Sequence, residues 1–79
     1  MGTRANPGKF DCYQTAKPDE PIFILLARDP HAVQVVRYWA SLRWRAIIDG
    51  KKPQTDMEMV IEAQDCANAM ERYRNENNG

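Results

Sequence analysis

The stretch from Asp29 to Gly50, DPHAVQVVRYWASLRWRAIIDG, restricts the possible folds of this chain more than any other part of it. Wound as an α-helix at about 100° per residue, it spreads Ala32, Val33, Val35, Val36, Trp39, Ala40, Leu42, Trp44, Ala46 and Ile47 over roughly 200° of its circumference. Asp29 reads as the N-cap, because a carboxylate there can accept the free N–H groups of the first turn, and Pro30 sits where a missing N–H costs nothing. Gly50 suits the left-handed position that ends a helix, and Lys51 and Lys52 complement the negative end of its dipole. The expectation is one helix over 29–49. An apolar arc that wide has to be covered from more than one side, so the remaining segments are expected to pack around it.

A second helix is expected over 56–75. Thr55 and Glu58 have the spacing of a capping box, in which each side chain bonds the backbone N–H of the other. Met59, Ala63, Cys66, Met70 and Tyr73 recur at spacings of four, three, four and three, with Val60 and Ala67 beside them. The turn between, GKKPQ, is short enough to make an antiparallel hairpin. The alanines at 63 and 67 would let the two helices approach closely.

Residues 1–9 are polar, with Gly, Asn and Pro and little to bury, and read as a disordered arm. Phe10 and Tyr13 follow, three apart, able to anchor that arm as an extended segment or a single helical turn. The apolar run Ile22 to Leu26 is a short helix over about 20–27 or a strand that pairs between subunits; periodicity does not separate the two. The Asp19-Glu20-Pro21 start and the helix formers Leu25, Leu26, Ala27 and Arg28 favour the helix. Residues 10–75 are then one all-α domain, and 76–79 a frayed tail.

At 79 residues a helical hairpin with one short extra helix has a thin core. Homo-oligomerisation, as a dimer or a higher assembly, is therefore expected, with Val36, Trp39, Leu42, Ile47, Met59, Ala63, Cys66, Met70 and Tyr73 as core or oligomer contacts. Eleven acidic and eleven basic residues cancel, which disfavours general nucleic-acid binding. No apolar run approaches the length of a membrane span, and MGTRANPGKF lacks the apolar stretch of an export signal. Cys12 and Cys66 are too few for a disulfide framework, which fits a reducing cytoplasm.

The charges are nevertheless sorted. Residues 31–52 carry Arg37, Arg43, Arg45, Lys51 and Lys52 against Asp49, while residues 53–79 carry six carboxylates against Arg72 and Arg74. Pairing between neighbouring helices explains this simply; the alternative is a basic helix that presents an anion-binding face. Arg43 is the odd residue. It falls within the apolar arc, where an unpaired guanidinium is costly, so it must pair with Asp65 or Glu62 or emerge at a binding surface. Arg37, Arg43, Arg45, Trp44 and Tyr13 are the candidate ligand or partner contacts. His31 is solitary, and Asp19, Glu20 and Asp29 have roles at helix starts. No metal-ligand spacing, phosphate loop or catalytic set is present, so no metal, no cofactor and no enzymatic activity are expected.

The segments Lys9-Phe10-Asp11-Cys12-Tyr13, Pro18 to Pro30 and Trp39-Ala40 together resemble a group of small proteins of tailed phages and prophages. Those proteins carry K-[FY]-D-x-Y, then P-D-E-P-x-F-x-L-L-A-R-D-P, then W-A in a helix. The resemblance implies a phage origin and action in the host bacterial cytoplasm, and it carries no catalytic or binding residue with it. Two functions follow as expectations: an accessory protein that binds and inhibits a host defence or regulatory protein, or an oligomeric sponge that sequesters cyclic nucleotide signals. A minor structural role in the virion is a weaker third.

Overall fold

The computed structural model describes residues 1–77. Its helices are α1 (Cys12–Thr15), a single turn, then α2 (Ala32–Ile48) and α3 (Met57–Asn77), with a 3-10 turn at Gln54–Asp56 leading into α3. No strand occurs among the described residues. The architecture is an all-α helical hairpin: α2 and α3 pack along each other, and the rest of the chain decorates them.

Gly50 closes α2. It adopts φ 76°, its N–H donates to the Ile47 carbonyl at 3.1 Å, and the Lys51 N–H donates to Ala46 at 2.9 Å. This double bond back to the last turn is the Schellman arrangement, and a glycine takes its left-handed conformation without a Cβ penalty. The start of α2 differs from expectation. The helix begins at Ala32, with His31 at the N-cap position making no side-chain cap. Asp29 acts one step earlier: its Oδ1 accepts the His31 N–H at 2.8 Å and its carbonyl accepts Ala32 N–H at 3.1 Å. Pro30 thus lies in the turn before the helix. The expected capping box is also replaced. The chain enters α3 through the 3-10 turn, and the Glu58 carboxylate meets Lys9 Nζ at 2.9 Å instead.

The short helix expected over 20–27 does not form. Residues 21–26 have no regular structure, and Ile22, Phe23, Ile24 and Leu26 are exposed. The physical reason is length and composition. Pro21 and Pro30 leave room for scarcely two turns, Ile22, Phe23 and Ile24 are poor helix formers, and so short a helix survives only when packing supports it. No such packing is present. The one helical turn of the N-terminal region falls at Cys12–Thr15, where Asp11 Oδ1 caps the Tyr13 N–H at 3.1 Å. Residues 1–9, read as disordered from composition, lie against α3. Met1 packs on the core cluster, and its amino nitrogen is 3.1 Å from Glu62 Oε1. The tail expected to fray from residue 76 is helical through Asn77; Asn78 and Gly79 lie outside the described residues.

The core is made of small residues. Ala32, Ala40, Val60, Ala63 and Ala67 are the fully buried apolar side chains, and Val60 is the largest of them. Ala40, Val60 and Ala63 meet at the centre, flanked by Val36, Trp39, Ile47 and Met57. The face of α3 that meets α2 is therefore rotated by about 60° from the expected stripe. Met59, Cys66 and Met70 are half-buried on its edge, and Tyr73 and Leu42 are half-exposed. Alanine at the contact favours close backbone approach, and the side with the smallest residues wins the interface over the side with the largest.

Candidate functional site

Because a single helix covers α2, only the middle of its apolar arc is buried. Val35 and Leu42 on one edge of that arc, and Trp44 on the other, stay about half-exposed, with Tyr38 and Ile48 next to them. The two edges differ in their surroundings. On the Trp44 edge, Arg37 bridges to α3: its Nη2 donates to Asn68 Oδ1 at 3.0 Å, and its two terminal nitrogens each lie 3.4 Å from a Glu71 oxygen. On the Val35 edge, His31, Gln34, Val35 and Tyr38 line a shallow open hollow of about 290 Å³.

Arg43 is a structural residue. Its Nη1 donates to Asp56 Oδ2 at 3.2 Å, both side chains being largely buried, and its guanidinium carbon lies 5.3 Å from the centroid of the Trp39 ring. An ion pair was expected, with Asp65 or Glu62; the partner is Asp56, at the head of α3. Glu62 is engaged elsewhere, accepting from the Met1 amino group and from the Phe10 N–H, each at 3.1 Å. Asp65 is exposed on the far side of α3.

The five candidate contacts are not gathered into one site. Arg37 and Arg43 are paired with carboxylates of α3 and its entry turn. Arg45 is exposed on the outer face of α2, a different face from Trp44, and Tyr13 stands exposed on α1. The residues that organise the surface instead are ones to which the sequence reading gave another role, as with Glu62 and Glu58, or none, as with Lys9 and Arg74. Glu62 holds the arm at two points, Lys9 sits on Glu58 and over the Phe10 ring at 5.4 Å, and Arg74 Nη1 donates to the Pro30 carbonyl at 3.2 Å. Arg74 thereby ties the end of α3 to the turn that starts α2. The charge sorting was a usable signal for the arm, since Lys9 precedes Phe10 and α3 is rich in carboxylates. The Arg74 contact to a backbone oxygen left none.

The remaining chemistry is sparse. Cys12 is exposed and Cys66 half-buried, both free thiols. Burial pushes the Cys66 thiol above its ordinary value near 9.0, the positive Met1 amino group works against this, and Glu62 adds to it. Among the described residues no three His, Cys, Asp or Glu side chains are close enough to hold a metal ion, and no helix is long and apolar enough to cross a membrane. A second shallow hollow, about 300 Å³, lies between the arm and α3, lined by Lys9, Phe10, Glu58, Ile61, Glu62 and Asp65.

The feature that stands out is the segment Ile22 to Leu26. Ile22 is 48%, Phe23 84%, Ile24 60% and Leu26 49% exposed. Among the described residues, no hydrogen bond engages the backbone of residues 21–25; on either side, Glu20 N–H donates to the Lys17 carbonyl at 3.0 Å and Asp29 N–H to the Leu26 carbonyl at 2.9 Å. Comparison of the chain with models of known families, with curated proteins and with solved structures gives no match. The resemblance to phage proteins therefore rests on its motif residues alone.

Proposed function

We propose that the chain is a non-enzymatic phage accessory protein that acts in the host cytoplasm by occupying a host protein, and that Ile22–Leu26 is the segment it offers. The observation that supports this reading is the exposure of those apolar side chains together with a backbone that makes no hydrogen bond from residue 21 to 25. An apolar peptide with free N–H and C=O groups fits the edge of another protein's sheet, where main-chain bonds give affinity and alternate side chains fill pockets. Pro21 and the turn at 26–29 limit the loss of chain entropy when such a strand docks. The nucleotide-sponge reading draws less support, since Arg37 and Arg43 already have carboxylate partners.

The test is affinity capture from a bacterial lysate with the wild-type chain and with Phe23→Asp. A stoichiometric partner held by the wild type and released by the variant is the expected result. Recovery of no stoichiometric partner by the wild type overturns the proposal. A thermal-shift screen against cyclic di- and oligonucleotides runs alongside, and stabilisation there moves the function to nucleotide capture.

A further inference from the structure

Residues 1–10 form a loop that closes on itself before it meets the helices. The Thr3 N–H donates to the Asn6 carbonyl at 3.0 Å, and the Asn6 N–H to Thr3 Oγ1 at 2.9 Å. Of residues 1–10, only Met1, Gly8 and Phe10 are partly buried, and all three lie against Glu62. Its Oε1 meets the Met1 amino group and its Oε2 accepts the Phe10 N–H, each at 3.1 Å. A Cβ added at Gly8 would overlap Glu62 Oε1 and the Met1 backbone. Lys9 reaches Glu58, one turn earlier on α3, at 2.9 Å. Among the described residues no backbone–backbone hydrogen bond joins this loop to α2 or α3; its bonds to the hairpin end on the carboxylates of Glu62 and Glu58.

The loop lies over a defined part of the hairpin. Met1 packs on the Ala40, Val60 and Ala63 cluster at the centre of the α2–α3 contact. Cys66 follows Glu62 by one turn of α3, and the charge of the Met1 amino group reaches its thiol. We infer that residues 1–10 are a releasable strap. Latched by Glu62, the strap opens as one unit while the α2–α3 hairpin stays folded, and its opening uncovers Cys66 and the Met1 side of the central cluster.

The reason is the difference in hold. The two long helices keep their backbone bonds within themselves and bury the core between them. The loop adds only the partly buried Met1 and Phe10 and its contacts to two carboxylates. Segments with few buried apolar contacts open at a much lower free energy than the core they lie on. The Lys9–Glu58 pair, with side chains 71% and 68% exposed, holds little. Glu62 is 19% exposed, and a carboxylate withdrawn from water that accepts from two donors makes the stronger bonds. Because Glu62 touches the loop at Met1 and again at residues 8–10, loss of that one carboxylate frees both ends together. Residues 21–26 take no part in the strap, so its release and the proposed host-protein contact are tested apart.

Native-state trypsin proteolysis, with the fragments assigned by mass spectrometry, reads the opening, because cleavage of a transiently opened segment follows the population of its open form. The Lys9–Phe10 bond is the one whose N–H Glu62 holds. Arg28–Asp29, in the turn before α2, is the internal reference, and cuts after Arg37 or Arg43 mark opening of the hairpin. Glu62→Ala is expected to raise cutting at Lys9–Phe10 relative to Arg28–Asp29 at least about tenfold, with no matching rise after Arg37 and Arg43. Gly8→Ala forces the loop off Glu62 while keeping the Glu62 charge, so alkylation of Cys66 relative to exposed Cys12 reads the cover, and it is expected to rise several-fold. Moving the positive Met1 amino group away would by itself slow that thiol, so a rise reports uncovering and not a change of charge. An unchanged ratio in Glu62→Ala overturns the latch. An equal rise after Arg37 and Arg43 overturns opening of the strap as a separate unit. A Cys66 rate unchanged in Gly8→Ala overturns the cover.

Discussion

Replacing Arg43 by alanine removes two interactions at once. The first is the bond to Asp56 Oδ2 at 3.2 Å, between side chains 26% and 19% exposed. Fully exposed pairs contribute about 0.2–1 kcal/mol, and breaking fully buried ones costs about 3–5 kcal/mol. A pair this far from water falls between them, near 2 kcal/mol, most of it the penalty of leaving the Asp56 carboxylate without a partner. The second is the guanidinium over Trp39 at 5.3 Å, worth about 0.5–1 kcal/mol. Together Arg43→Ala should destabilise the fold by about 2–3 kcal/mol, a large share of the roughly 4–12 kcal/mol expected for a chain of this length. At about 4–8 °C per kcal/mol the midpoint should fall by roughly 10–20 °C.

Thermal unfolding followed by circular dichroism at one fixed protein concentration measures this. A double-mutant cycle with Asp56→Ala isolates the pair, and the coupling should be about 1–2 kcal/mol. Asp56→Ala alone should cost less than Arg43→Ala, because Arg43 keeps its place over Trp39. A change below about 0.5 kcal/mol for Arg43→Ala, or a coupling near zero, would refute the view that this residue pins the entry turn of α3 to α2.

Two further outcomes check other parts of the structure. Ala63→Leu forces three extra carbons into a site with 0% exposure, and overpacking there should cost about 1–3 kcal/mol in chemical denaturation; an unchanged or raised stability would mean that the helices do not meet at that alanine. With an alkylating reagent followed by mass spectrometry, exposed Cys12 should react well before Cys66, whose folded thiol is held above its unfolded value by burial. By linkage the Cys66 contribution to stability is present below pH 9.0 and is lost as pH rises through the raised folded value. Equal reaction rates at the two cysteines would contradict the packing of Cys66.

What the chain determines by itself is local. The periodicity from Ala32 to Ile48, the glycine at 50 and the short turn after it suffice for two antiparallel helices, because each depends on residues within a turn or two of one another. Even the need of Arg43 for a carboxylate follows from the wheel. What tertiary packing alone decided is which of several locally equal choices prevailed. The face of α3 turned to α2 runs through Val60, Ala63 and Ala67 and not through Met59, Cys66 and Tyr73, because close approach of two backbones favours the smaller side chains. Asp56 takes Arg43 because Glu62 is drawn to the arm, a contact 52 residues away in sequence from Phe10. Ile22 to Leu26 stays out of a helix because nothing in the fold covers it. Each outcome depends on energies between segments distant along the chain, and short-range propensity, worth a few tenths of a kcal/mol per residue, is too weak to decide among them.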